Sequence, residues 1–126
     1  MLLGNFFNIN HLEETGFDIK AGLVINAGHR IFEGHFPGQP VVPGVCMMQM
    51  VKEIMEKVIG KKTNLIRAHE MKFLAIINPQ ENNIIQAALK YNIEETGNIV
   101  VSATLFKDEL NHFKFKGLFA FQEPHL

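Results

Sequence analysis

Between Phe17 and Ile25 the apolar side chains fall on alternate positions, Phe17, Ile19, Ala21, Leu23 and Ile25, with Asp18, Lys20 and Asn26 between and beside them. A period of two marks a half-buried strand, and this one is expected to be the first of the chain. From Gly44 to about Ile59 there is no proline, and Gly60 follows with Lys57, Lys61 and Lys62 around the end. A glycine stop with cations at the negative pole of the dipole predicts a helix. Its second half is amphipathic, with Val51, Met55 and Val58 on one stripe and Lys52, Glu53, Glu56 and Lys57 opposite. The first half, "VCMMQMV", is apolar on every side except at Gln49, so it is expected to be enclosed.

Four further extended stretches follow, near Leu65–Ile77, Ile84–Ile93, Ile99–Lys107 and Phe113–Phe121. Alternation is clearest at Ile85, Ala87, Leu89, Tyr91 and Ile93, and again at Phe113, Phe115, Phe119 and Phe121. The breaks "NPQEN", "ETGN" and "DELN" have lengths that join antiparallel neighbours. The expected order is strand, long helix, then a four-stranded antiparallel meander. One apolar sheet face and one nearly all-apolar helix segment bury each other when the sheet curls around the helix, an α+β layout. No repeat or linker divides the chain, so residues 1–126 are read as a single domain.

Arg30–Gly44, "RIFEGHFPGQPVVPG", breaks both periods. Pro37, Pro40 and Pro43 fix φ and remove backbone donors, while Gly34, Gly38 and Gly44 permit tight backbone, so the stretch is a rigid loop running into the helix. His35 inside it is either a histidine bonded within its loop or a general base held in front of the helix. Gln49 must find partners in its apolar surroundings or cost about 1–3 kcal/mol, as a satisfied buried amide or as a residue facing a polar site. Gly44 either permits the turn after Pro43 or lets its N–H, at the positive end of the helix, approach a carbonyl oxygen. Met47, Met48, Met50 and Met55 suit a core, and equally a wall that accepts an alkyl chain.

Composition narrows the field. With 47% hydrophobic residues the chain can build a core, and 12 lysines and arginines against 13 acidic residues leave no basic field for nucleic acid or an anionic membrane. Cys46 is the single cysteine, which rules out an intramolecular disulfide and fits a reducing compartment. His29, His35 and Cys46 lack a recognised ligand spacing, so neither metal nor cofactor is expected. The opening "MLLGNFFNIN" lacks the n- and h-regions of a signal peptide, and no apolar run nears the roughly 18 residues of a spanning helix. The expected location is the cytoplasm, with no membrane insertion.

The stretch "GHFPGQPVVPGV", preceded by "HRIFE" and followed by "CMMQM", resembles the hallmark GHFPGxPVxPGV of the (3R)-hydroxyacyl-acyl-carrier-protein dehydratases, and "MKFLAIINP" resembles that family's next strand and proline turn. The resemblance implies a hotdog fold, with an antiparallel sheet wrapped around one long central helix. It implies a homodimer, or a trimer of such dimers, with active sites at the dimer interface, acting on acyl-carrier-protein or coenzyme A thioesters. Carried over by position, His35 corresponds to the catalytic histidine and Gly44 to the glycine whose amide binds the thioester carbonyl. Phe36 and Val45, beside them in the motif, are expected to bind substrate. At position 49 the family has a glutamate or aspartate, supplied across the dimer interface to the histidine of the other copy, that helps protonate the departing hydroxyl; here it is Gln49. An amide cannot deliver a proton at neutral pH. Either His35 returns the α-proton to the hydroxyl, or Glu53, one turn further on, acts through water; the first is favoured because Glu53 reads as solvated. The function expected is dehydration of (3R)-3-hydroxyacyl thioesters to trans-2-enoyl thioesters in fatty-acid or related acyl-chain synthesis. Thioester hydrolysis, or service as the degenerate partner of a second hotdog subunit, are the alternatives.

Overall fold

The computed structural model describes residues 1–34 and 40–122. Strands β1 (Phe7–Thr15) and β2 (Asp18–Ile25) come first, then a single helical turn α1 (Ile31–Gly34), the long helix α2 (Gly44–Ile59), and strands β3 (Thr63–Phe73), β4 (Ile84–Ile93), β5 (Ile99–Lys107) and β6 (Leu110–Phe121). They form one six-stranded sheet in the order β1-β2-β4-β5-β6-β3, antiparallel throughout.

Alternation along the strands becomes one continuous apolar face. Ile19 lies opposite Leu89, Leu89 opposite Ala103, Ala103 opposite Phe115, and Phe115 opposite Met71, a row that crosses five strands. All but Met71 are buried, and Cys46, Met47, Met50, Val51, Ile54 and Met55 of α2 join the same core. The sheet therefore curls around the helix as the periodicity required.

Four expectations change. Ile31–Gly34, read as part of an irregular loop, forms the helical turn α1. The strand at Phe17–Ile25 is the second, because β1 precedes it. Most of β1 is exposed, and its sequence, "FNINHLEET", carries no two-residue apolar period. Only β4, β5 and β6 form a meander; β3 pairs with β6 at the far edge, and β4 pairs with β2. Residues 74–83 are thus a crossover and not a hairpin. This crossover is tied down at both ends of its path: Leu74 N and Ala75 N donate to His112 O (2.9 and 3.3 Å), Val42 N donates to Ile77 O (2.9 Å), and Ile25 N donates to Asn83 O (2.8 Å). The contact at Ile77 seats the segment that leads into α2, so the crossover positions the start of the helix.

The helix is also less enclosed than its sequence suggests. Its Cys46, Met47, Met50 and Val51 side is buried, but Val45 is 77% exposed and Met48 and Gln49 are only half-buried. Beside this open face, edge strand β3 and the start of the crossover expose Leu65, Ile66, Met71, Phe73, Leu74 and Ile76. Conversely, Glu53 and Glu56, expected on the solvated face, are buried, at 3% and 8% exposure.

Candidate active site

Helix α2 begins without a side-chain cap. Pro43 stands at the N-cap in extended conformation (φ −61°, ψ 146°), and its carbonyl accepts from Cys46 N (3.0 Å) and Met47 N (3.2 Å). Among the described residues the amides of Gly44 and Val45 donate to no acceptor. Two N–H groups at the positive end of a four-turn helix suit a ligand oxygen that carries negative charge. The space beside Gly44 is narrow: a Cβ there would lie 2.7 Å from Cε1 and 2.9 Å from Cζ of Phe73. Phe73 stacks on Phe113 with ring centroids 5.1 Å apart, so the end of β3 forms a wall against the helix start. Glycine at this position lets that wall close in.

Gln49 sits one turn beyond Val45 on the same helix face. Its Nε2 donates to Oε2 of Glu53 at 2.8 Å. Glu53 in turn receives the N-terminal turn: Leu2 N donates to both carboxylate oxygens at 2.9 Å, and Leu3 N donates to Oε1 at 2.8 Å. Glu56 is satisfied in the same way, by Thr63 N (2.6 Å), Thr63 Oγ1 (3.1 Å) and Lys52 Nζ (3.1 Å). The sequence reading of Glu53 as a solvated side chain is therefore corrected, because backbone amides from elsewhere in the chain take the place of water. Nothing in a helical period announces this, since the donors lie about 50 residues away along the chain.

Of the residues singled out from sequence, Gly44, Val45 and Gln49 come together along the first two turns of α2; His35 and Phe36 lie outside the described residues. Cys46, buried against the core behind Gly44, has its thiol pKa pushed up by burial, which keeps it neutral. His29 Nδ1 accepts from Ile31 N (3.1 Å), and its ring meets Phe6 edge to face, a structural arrangement. Buried His112 places Nδ1 3.1 Å from Ala75 O and so braces the crossover.

The model of the ApeI-like family, described as ApeI dehydratase, matches residues 10–104 of the 126. The chain belongs to this dehydratase family. Curated relatives include the 3-hydroxyacyl-[acyl-carrier-protein] dehydratase FabZ of Blochmanniella pennsylvanica, 23% identical over 83% of this chain and 65% of the relative. The FabZ of Ralstonia nicotianae is 28% identical over 78% of this chain and 56% of the relative. This ApeI-like chain thus spans somewhat less than two thirds of the length of those relatives. A solved dehydratase heterocomplex ApeI:P from Xenorhabdus doucetiae superposes with a TM-score of 0.67 at 21% identity, covering 87% of this chain and 95% of that one. A conserved protein from Pseudomonas aeruginosa superposes with a TM-score of 0.64 at 12% identity, covering 94% and 90%. With its antiparallel sheet curled around one long helix, the ApeI-like chain has the α+β hotdog fold.

Proposed function

We propose that this ApeI-like protein dehydrates (3R)-3-hydroxyacyl thioesters, carried on acyl-carrier protein or coenzyme A, to trans-2-enoyl thioesters in the cytoplasm, serving fatty-acid or related acyl-chain synthesis. The observation that carries the reading is the uncapped start of α2, with the Gly44 and Val45 amides offered beside an open helix face bearing Gln49, in a chain of a dehydratase family.

Dehydration needs a base for the C2 proton, a donor for the enolate-like oxygen, and a proton for the departing hydroxyl. His35 takes the C2 proton. As negative charge gathers on the thioester oxygen, the Gly44 amide and the helix dipole stabilise it, and Phe36 and Val45 border the acyl group. The C3–O bond then breaks as the imidazolium of His35 returns its proton to the hydroxyl, which leaves as water while the C2–C3 double bond forms. Gln49 orients the hydroxyl but supplies no proton. Without a second acid, turnover falls below that of a site with a carboxyl at this position by about 10²–10⁴, the usual contribution of general acid catalysis.

The open face of α2 and the unpaired edge of β3 favour a homodimer whose two copies complete each other's sites, alone or as a trimer of dimers. Exposed apolar residues on a free strand edge otherwise invite aggregation. The neutral amide at position 49 also favours a second reading, in which the chain pairs with a different subunit that carries the missing carboxylate. Both are tested by incubating the purified protein with a (3R)-3-hydroxyacyl thioester and following enoyl product and free thiol together, beside His35→Ala. Enoyl product that vanishes in the variant supports the dehydratase; free thiol without enoyl product would make the protein a thioesterase, and neither product would favour the dependent subunit.

A further inference from the structure

Glu53 is a buried carboxylate that the chemistry above does not use. Four contacts from three N–H donors, Leu2 N, Leu3 N and Gln49 Nε2, fill its two oxygens, so it accepts and does not donate. An acceptor facing Gln49 at 2.8 Å fixes which end of that amide is which. The nitrogen must face Glu53, and the carbonyl oxygen is held on the other side.

The geometry points to Glu53 as the positioning residue of the site: it locks the Gln49 carbonyl outward as an acceptor for the substrate's 3-hydroxyl, and the N-terminal turn, bonded to the same carboxylate, is the other half of the lock. The inference rests on the dehydratase reading for its substrate and on the hydrogen bonds alone for the lock. A hydroxyl that donates to Gln49 keeps its lone pairs free for another donor, as receipt of a proton requires. The lock also explains how a glutamine serves where a carboxyl would be expected. A carboxyl at position 49 would meet the Glu53 carboxylate across the 2.8 Å contact, and like charges at that separation cannot both stay ionised.

Exchanging the two residues distinguishes this role from mere packing. In Gln49→Glu/Glu53→Gln, the amide oxygen at position 53 still accepts from Leu2 and Leu3 while its nitrogen donates to the carboxylate at 49, so the N-terminal turn keeps an acceptor and only the bond between 49 and 53 is remade with its polarity reversed. In Glu53→Gln alone, the new side chain keeps the N-terminal turn, but its nitrogen now faces Gln49, whose amide must flip and present nitrogen to the substrate. We expect kcat to fall about ten- to hundredfold at nearly unchanged KM in Glu53→Gln, the effect of one reversed hydrogen bond. Gln49→Glu alone should also lose turnover. The double variant should exceed both single variants and gain a limb in its pH profile, falling as the new carboxyl ionises. Wild-type kcat in Glu53→Gln, or a double variant as slow as the product of its single variants, would overturn the proposal.

Hydrogen exchange reads the lock independently of any substrate. The Leu2 and Leu3 amides and the Gln49 side-chain amide should exchange slowly in the wild type and fast in Glu53→Ala; equal rates in the two proteins would overturn it. A wild type that forms no enoyl product but keeps these slow protons would reject the dehydratase reading and leave the lock standing.

Discussion

Gly44→Ala separates the catalytic use of the helix start from its structural use. The added methyl would stand 2.7 and 2.9 Å from two ring carbons of Phe73, too close for both to keep their places. The ring is 54% exposed and its neighbour across the stack is Phe113, so it yields by swinging outward and losing that stack. An aromatic pair is worth about 0.5–1.5 kcal/mol. Alanine in place of glycine returns a part of the roughly 1 kcal/mol that separates them in helices. The net loss is then about 0–1.5 kcal/mol, a fall in Tm of a few degrees for a domain of this size. On the proposed reading catalysis is hit harder, because the wall beside the Gly44 amide moves and a thioester carbonyl would no longer seat on it. Loss of one oxyanion donor costs about 10²–10³ in kcat. Calorimetry beside enoyl formation reads both quantities. Full turnover in a folded Gly44→Ala protein would refute the assignment of the carbonyl to this amide, and collapse of the fold would refute the reasoning that Phe73 gives way.

Three further outcomes follow from the same structure. Gly117→Ala would set a methyl 2.6 Å from the Arg67 carbonyl oxygen of β3 and against the Phe115 ring, where backbone cannot yield cheaply; denaturant titration should show a loss of about 1–3 kcal/mol or more, and an unchanged midpoint would contradict the β3–β6 contact described. Burial raises the Cys46 thiol pKa, so the folded state holds that proton more tightly; the stability this contributes is intact below the ordinary thiol value and is lost as the pH rises through the raised one. Iodoacetamide should accordingly label Cys46 slowly at neutral pH until the protein unfolds, and rapid labelling of folded protein would contradict its burial. Ile66→Lys, which places a charge on the exposed edge strand, should shift sedimentation from a dimer to a single chain with loss of turnover, whereas an active dimer would move the interface elsewhere.

The strands that line the core were legible because each buries one face, so that Ile19 to Ile25 and Ile85 to Tyr91 carry the period of two undisturbed. Strand β1 was not, because it is an edge strand with most residues in water and no apolar rhythm. The placement of β3 beside β6 was hidden for a different reason: a ten-residue connection with a proline reads equally well as a turn or as a crossover, and only the three-dimensional path past Val42 and His112 decides it. At the candidate site, Gly44 and Gln49 stood out as anomalies against their own helix. Glu53 did not, since a glutamate among lysines matches a solvated face, and its partners are backbone amides at the start of the chain.

The central claim is a dehydratase site assembled from His35 of one copy and Gln49 of another, and mixed variants test it most directly. His35→Ala, which lacks the base, and Gln49→Ala, slowed about ten- to hundredfold by loss of its orienting hydrogen bond, are unfolded together, refolded as a mixture and assayed for enoyl thioester. If sites form across the interface, half of the dimers are mixed and each restores one wild-type site, so about one quarter of wild-type turnover returns. A mixture no more active than its components would contradict the claim, because every site built within one chain would still carry a lesion.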